Sequence, residues 1–150
     1  MDAVDRKILA ELQMNGRISI TELASRVRLT VSPTHRRLRD LEESGVIRGY
    51  RAALDPEALG LKFEALLFIT MREANHETLV RFEEAAAAIP NVLEAQRLFG
   101  EPDYLVRVVS EDLADYQRLY DEQLTRLPGV QRVASTLVMK HVVRERPLPL

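Results

Sequence analysis

The sequence has no cysteine, which excludes disulfide bonds, thiolate metal ligands and a cysteine nucleophile. No apolar run approaches the roughly 18 residues that a membrane helix needs. The first residues, MDAVDRKILAEL, are charged from the start, unlike the apolar core of a signal peptide. We therefore expect no membrane segment and a cytoplasmic location. Aromatic residues make up only 5% of the chain, which disfavours RNA recognition by base stacking on a sheet.

The residue types that build catalytic and metal sites are present but scattered. The three histidines, His35, His76 and His141, have no spacing typical of metal ligands. No nucleophile elbow, phosphate-binding loop or dinucleotide fingerprint occurs in the sequence. We therefore expect no enzyme activity, no metal and no resident cofactor.

Charge is distributed unevenly along the chain. The whole chain has a formal net charge of -2, but residues 1–53 contain ten basic and seven acidic side chains, and residues 54–150 contain eleven and sixteen. The length of 150 residues fits one domain or two small ones, and the net charges of +3 and -5 favour two. A basic segment is typical of a part that binds a polyanion, although solvated surface charge alone can produce the same difference.

Apolar residues at helical spacing predict three short helices in the basic segment. The first covers about residues 5–15, and the second begins after Ser19, whose hydroxyl is suited to cap it. The third is predicted to have Ser32 as its N-cap and Pro33 in its first turn, and to end at Gly45. Three helices with a short turn before the last are typical of a helix-turn-helix, although such bundles also occur as protein-binding modules.

The third helix contains most of the candidate DNA-binding residues. On a helical wheel Thr34 shares a face with Leu38 and Leu41, and Arg36 lies nearly opposite. Short hydrogen-bonding side chains near the N-terminus of a recognition helix, with arginines behind them, can contact base edges and phosphates. The predicted DNA-binding residues are Ser32, Thr34, His35, Arg36, Arg37, Arg39 and Arg48. The alternatives are a plain cap for Ser32 and a solvated helix face for the arginines.

A short segment separates the basic helices from the acidic part. Residues 46–54 have an extended, partly apolar pattern that Asp55 and Pro56 close, which favours a docked strand and hinge over a loose tether. The predicted division is a helix-turn-helix domain at 1–45, an extended linker at 46–61 and a second domain at 62–150.

The acidic segment predicts the order βαββαβ, that of an α+β ferredoxin-like sandwich. The predicted strands are 63–72, 92–99, 104–110 and 132–143, and the predicted helices are 76–89 and 112–127. This fold places both helices on one face of the sheet, yet the first strand also has Leu66 and Phe68 on its other face. A second copy is the simplest cover for that face, which predicts a two-fold dimer that reads a near-palindromic site in double-stranded DNA.

The two segments together resemble the Lrp/AsnC (feast-famine) family of prokaryotic transcriptional regulators. The resemblance lies in DRKILAELQMNGRISITELASRVRLTVSPTHRRLRDLEESGVIRGYRAALDPEALG, in FGEPDYLVRVVSEDLADYQRLYDEQLTRLPGV and in STLVMKHVV, and it covers nearly the whole chain. It implies a winged-type helix-turn-helix domain followed by a ferredoxin-like effector and oligomerisation domain. It also implies a homodimer, often assembled into tetramers or octamers, and an amino acid or related metabolite as effector.

In the family that effector binds near the loop between the second and third strands. The resemblance therefore marks Gly100, Glu101, Asp103 and Tyr104 as effector-binding, although the family usually has an aromatic residue where this sequence has Pro102. Backbone amides can hold a carboxylate and either acidic side chain an ammonium group; a tight hairpin made only of turn residues is the alternative. The predicted function is a sequence-specific DNA-binding regulator modulated by a small metabolite, with an effector-independent DNA-binding or architectural protein as the alternative.

Overall fold

The computed structural model describes all 150 residues, which fold as two compact units. The first unit comprises Met1–Ala53 and Val142–Leu150, and the second comprises Leu54–His141. The sequence placed residues 142–150 in the second domain, but the structure groups them with the first, where Leu148 is hydrogen-bonded to Gln13. With this segment included, the first unit has twelve basic and eight acidic residues and the second has nine and fifteen, so the charge difference widens to +4 against -6.

Three helices build the first unit. They are α1 at Ala3–Met14, α2 at Ile20–Val27 and α3 at Val31–Glu43. Asp2 caps α1 by accepting the amides of Val4 and Asp5, and the Ser19 hydroxyl caps α2 by accepting the amide of Glu22 at 3.2 Å. The apolar faces of the helices meet in one core made of Ile8, Leu9, Leu23, Val27 and Leu41.

The start of α3 differs from the prediction. The helix begins at Val31 with Thr30 as its N-cap, so Ser32 lies inside the first turn and is not the cap. The turn before it is short because Arg28 adopts a left-handed conformation with φ 59° and ends α2 at once. Pro33 remains within the first turn, where its missing N–H leaves no hydrogen bond unmade.

The second unit is an antiparallel sheet with helices between its strands. Its elements are β1 at Phe63–Met71, α4 at His76–Ala87, β2 at Val92–Arg97, β3 at Tyr104–Ser110, α5 at Leu113–Glu122, a 3-10 turn at Leu124–Arg126 and β4 at Val130–Leu137. The strand order is β2-β3-β1-β4. The structure thus confirms the βαββαβ order and the α+β class.

The core of this unit lies between the sheet and the two helices. Alternate residues of β1, such as Leu67 and Ile69, are fully buried, and they share one cluster with Phe82 of α4 and Leu119 of α5. Both helices therefore cover the same face of the sheet. β4 ends at Leu137, six residues earlier than predicted. The amide of Val138 still donates to the Glu64 carbonyl oxygen at 2.9 Å, but β1 begins at Phe63 and offers no partner to residues beyond 139.

The opposite face of the sheet is only half-buried. Leu66 and Phe68 of β1 and Leu105 of β3 lie on it. At one end of this face Glu64 Oε2 lies 2.9 Å from His141 Nε2, and Glu64 Oε1 lies 3.4 Å from Arg107. The face therefore combines an apolar centre with a charged margin.

Candidate nucleic-acid interface and ligand site

The outer face of α3 presents polar and basic side chains to solvent. Ser32, His35, Arg36 and Arg39 are exposed there. Arg36 makes no ion pair with any acidic side chain, because the helix turns it away from the three-helix core. An unneutralised guanidinium on a helix face can form two parallel hydrogen bonds with a guanine edge or a phosphate.

Two of the predicted DNA-binding residues of α3 do not lie on its exposed outer face. Thr34 is fully buried, and its hydroxyl donates to the Thr30 carbonyl oxygen at 2.9 Å. Arg37 is partly buried, and its Nη1 lies 2.7 Å from carboxylate oxygens of both Asp2 and Asp5. Hydrogen bonds to Asp5 and Asp2 raise the pKa of the Arg37 guanidinium. Thr34 is therefore packed inside the unit and bonded to the start of its own helix, while the Arg37 guanidinium is engaged by carboxylates of α1 and its N-cap.

The other basic residues of the first unit divide into paired and unpaired groups. Arg26 is held by Glu11 at 2.8 Å and by Glu22 at 2.6 Å. Arg39 meets Glu43 at 2.6 Å, but both side chains are more than 60% exposed, and such surface pairs are easily exchanged. The exposed basic residues of this unit with no acidic partner include Arg17, Arg28, Arg36, Arg48 and Arg51.

The loop between β2 and β3 is less open than the sequence predicted. Gly100 has φ +133° and is exposed, as is Glu101. Asp103 is bound into the sheet: its Oδ2 accepts the amide of Met71 at 2.7 Å, and its own amide donates to the Ile69 carbonyl oxygen at 2.9 Å. The Asp103 carboxylate therefore closes the loop onto β1, which competes with the predicted contact to a ligand ammonium group.

Tyr104 is a core residue and not part of an open loop. Its side chain is 1% exposed, and its ring centroid lies 4.4 Å from that of Phe82. Its hydroxyl donates to Glu83 Oε1 at 2.8 Å, and burial together with this hydrogen bond raises the pKa of Tyr104 to about 12. The alternation of Tyr104, Val106 and Val108 along β3 was the sequence signal for this placement.

A cavity that sequence reasoning missed opens at the same end of the sheet. It has a volume of about 330 Å³ and is lined by Arg72, Glu73, Thr78, Gly129 and Val130. The amide of Arg72 donates to the Gly129 carbonyl oxygen at 2.8 Å, which brings the turn before β4 against the end of β1. Adjacent side chains of opposite charge at a cavity mouth can bind the carboxylate and ammonium groups of a free amino acid. The only sequence signal for this cavity is the charged pair Arg72 and Glu73 directly after β1.

No group of three or more His, Asp or Glu side chains is arranged to hold a metal ion. No helix combines the length and the apolar character that crossing a membrane requires.

Both units match families of known proteins. Residues 1–48 match the winged helix-turn-helix DNA-binding model, and residues 64–148 match the Lrp/AsnC ligand binding domain. The chain is 42% identical over 142 residues to the leucine-responsive regulatory protein of Rhizobium meliloti, covering 95% of this chain and 91% of that protein. It is 40% identical over 145 residues to the proline dehydrogenase transcriptional activator of Rhodobacter capsulatus, covering 97% and 94%.

Solved structures agree with this assignment. A transcriptional regulator from Neisseria meningitidis in complex with L-Met superposes with a TM-score of 0.94 at 36% identity, covering 99% of this chain and 96% of that one. An AsnC family regulator from Agrobacterium tumefaciens gives 0.93 at 36% identity, covering 99% and 97%. The chain therefore belongs to the Lrp/AsnC family of DNA-binding transcriptional regulators.

Proposed function

We propose that this regulator reads DNA with the outer face of α3. The observation that carries the proposal is Arg36, which is exposed, has no acidic partner and lies opposite the buried face of the helix. Ser32 and His35 flank it, and Arg39 joins it by releasing its exposed contact to Glu43. These side chains supply donors for base edges and phosphates in the major groove.

Phosphate contacts come from the unpaired arginines around this face. Arg48 is exposed just after α3, and Arg28 is exposed at the turn before it. The first unit also has a net charge of +4, which attracts a polyanion and makes its affinity dependent on salt.

We further infer that the regulator works as a homodimer, with tetramers or octamers built from it. The half-buried face with Leu66, Phe68 and Leu105 is apolar, and a second copy of the same sheet would remove it from water. Two α3 helices related by a two-fold axis fit the two halves of a near-palindromic site. Because its target is chromosomal DNA, we expect the protein in the cytoplasm.

The proposed effector is an amino acid or a related small metabolite bound beside the end of β1. The L-Met complex of the Neisseria meningitidis regulator supports an amino acid, and the cavity with Arg72 and Glu73 has groups of both signs for its carboxylate and ammonium. Gly100 and Glu101 are exposed in the β2–β3 loop and are the remaining candidate contacts from the sequence. A thermal-shift screen against the twenty amino acids tests this. A stabilising amino acid whose effect is lost in Arg72→Ala supports the site, and no stabilisation favours an effector-independent regulator.

The DNA-binding proposal is tested by selecting genomic fragments and measuring their affinity at several salt concentrations. Arg36→Ala is expected to weaken binding by about 1–3 kcal/mol, or about 5- to 150-fold. Arg81→Ala is the matched control, since Arg81 is also an exposed arginine with no acidic partner and lies on α4 of the second unit. The proposal fails if the two variants bind equally well, or if affinity does not change with salt.

A further inference from the structure

The C-terminal segment of the chain makes a defined contact with the first unit. The amide of Leu148 donates to Gln13 Oε1 at 2.6 Å, and the carbonyl oxygen of Leu148 accepts from Gln13 Nε2 at 3.2 Å. Gln13 lies on the exposed side of α1, and these two are its only side-chain hydrogen bonds. One side-chain amide thus satisfies both backbone groups of a single residue, as a neighbouring strand would.

The sequence of the segment, RERPLPL, is suited to this contact. Pro147 and Pro149 fix their own φ angles and restrict the residues before them, Arg146 and Leu148, to extended conformations. The segment therefore loses little conformational freedom when it docks. Proline has no N–H, so Leu148 supplies the single backbone donor within residues 147–149, and that donor is the one bound by Gln13.

The surface around Gln13 is a groove with apolar walls. Leu9 and Leu12 of α1, residues 46–51, and Leu148 and Leu150 of the C-terminal segment all line it. With the segment in place, about 580 Å³ remains open between them. The Gln13 amide in this groove matches an extended segment in which leucine alternates with proline, because such a segment leaves its backbone groups free for an external partner.

We propose that this groove, defined by Leu9, Leu12, Gln13 and residues 46–51, is a docking site for an extended Leu-Pro segment. Its occupant is the chain's own C-terminal strap, residues 144–150. The chain leaves the first unit after Ala53 and re-enters it at Val142. The docked strap therefore gives the DNA-binding unit a second covalent connection, which reduces the conformations open to it.

Four substitutions in the full chain test the docking. Gln13→Leu removes both partner atoms, and Gln13→Glu keeps an acceptor for the Leu148 amide but removes the donor. Leu148→Pro removes the amide hydrogen and preserves the extended backbone. Leu148→Ala is its matched control, because it keeps both polar groups and the Leu148 side chain is 71% exposed. Circular dichroism checks that each variant retains its helices.

Hydrogen exchange and trypsin supply two readouts without DNA, so they are independent of the proposed function. In the wild type and in Leu148→Ala, the amide hydrogen of residue 148 is expected to exchange about tenfold more slowly than in the free peptide RERPLPL. This factor is the net stabilisation expected from the two hydrogen bonds to Gln13. In Gln13→Leu it exchanges at the peptide rate, and in Gln13→Glu it remains partly protected. Tryptic cleavage after Arg144 accelerates about tenfold in Gln13→Leu and Leu148→Pro but not in Leu148→Ala. Wild-type exchange at the peptide rate, or equal cleavage in all variants, overturns the proposal.

Discussion

Asp103 provides a quantitative test of the β2–β3 loop. Its Oδ2 accepts the Met71 amide at 2.7 Å in a partly buried position, so Asp103→Ala leaves that donor without its carboxylate. Losing the partner of a buried donor, or a hydrogen bond to a charged group, lowers the free energy of unfolding by about 1–3 kcal/mol. That is a large part of the roughly 5–15 kcal/mol typical of a folded protein. Asp103→Asn keeps an oxygen acceptor and should lose less than about 1 kcal/mol.

Urea denaturation followed by tyrosine fluorescence measures this effect in the second unit. The chain has no tryptophan, and three of its four tyrosines lie in that unit. Glu101→Ala is the control, because Glu101 is exposed in the same loop and makes no hydrogen bond. If Asp103→Ala and Glu101→Ala unfold within about 0.5 kcal/mol of each other, the structural role assigned to Asp103 is wrong. The result also matters for effector studies, since a lost response in Asp103→Ala would report damage to the loop.

Three further predictions concern the second unit. Gly129→Ala should lower the free energy of unfolding of this unit by about 2–4 kcal/mol, because Gly129 has φ +71° and a Cβ there would overlap Thr78 Cγ2. The double variant Thr78→Ser/Gly129→Ala lacks Cγ2. Its denaturation should therefore show that the part of the lost stability due to overlap is regained. Burial alone would raise the pKa of Glu64, but His141 and Arg107 outweigh it and hold the pKa below its ordinary 4.5. Its stabilising contribution is therefore present above pH 4.5 and lost as the pH falls through the lowered pKa of the folded state, so the wild type should be more stable than Glu64→Gln at neutral pH, and denaturation at decreasing pH should show this difference disappear. The pKa values of Tyr104 and Tyr50 are both raised to about 12, so Tyr104→Phe should reduce the part of the 295 nm titration that appears last and leave the part due to Tyr50. An unchanged curve would contradict the burial of Tyr104.

The sequence predicted the architecture well because that depends on local periodicity. Alternation and helical spacing located every helix and strand, with errors of up to six residues at their ends. Thr34, predicted as a DNA contact, is fully buried, as its helical-wheel position beside Leu38 and Leu41 indicated. The hydrogen-bonding side chain of Thr34 near the start of a basic helix favoured a DNA contact, but packing within the first unit buries it.

Contacts between distant residues could not be predicted in this way. Arg37 pairs with Asp2 and Asp5, more than 30 positions earlier. The sequence shows that these side chains have opposite charges but does not show that they meet. Gln13 and Leu148 are 135 positions apart. No local pattern indicates that an exposed glutamine holds a C-terminal segment, so the strap and the cavity beside Arg72 emerge only from the fold.

The most direct test of the account compares two neighbouring arginines of α3. The DNA affinity of Arg36→Ala and Arg37→Ala is measured on one selected operator, at a temperature where both variants are folded. We expect Arg36→Ala to bind about 5- to 150-fold more weakly, while Arg37→Ala keeps the wild-type affinity and loses thermal stability, because Arg37 is held by Asp2 and Asp5. Loss of DNA binding in Arg37→Ala with wild-type binding in Arg36→Ala would contradict the assignment of the recognition face.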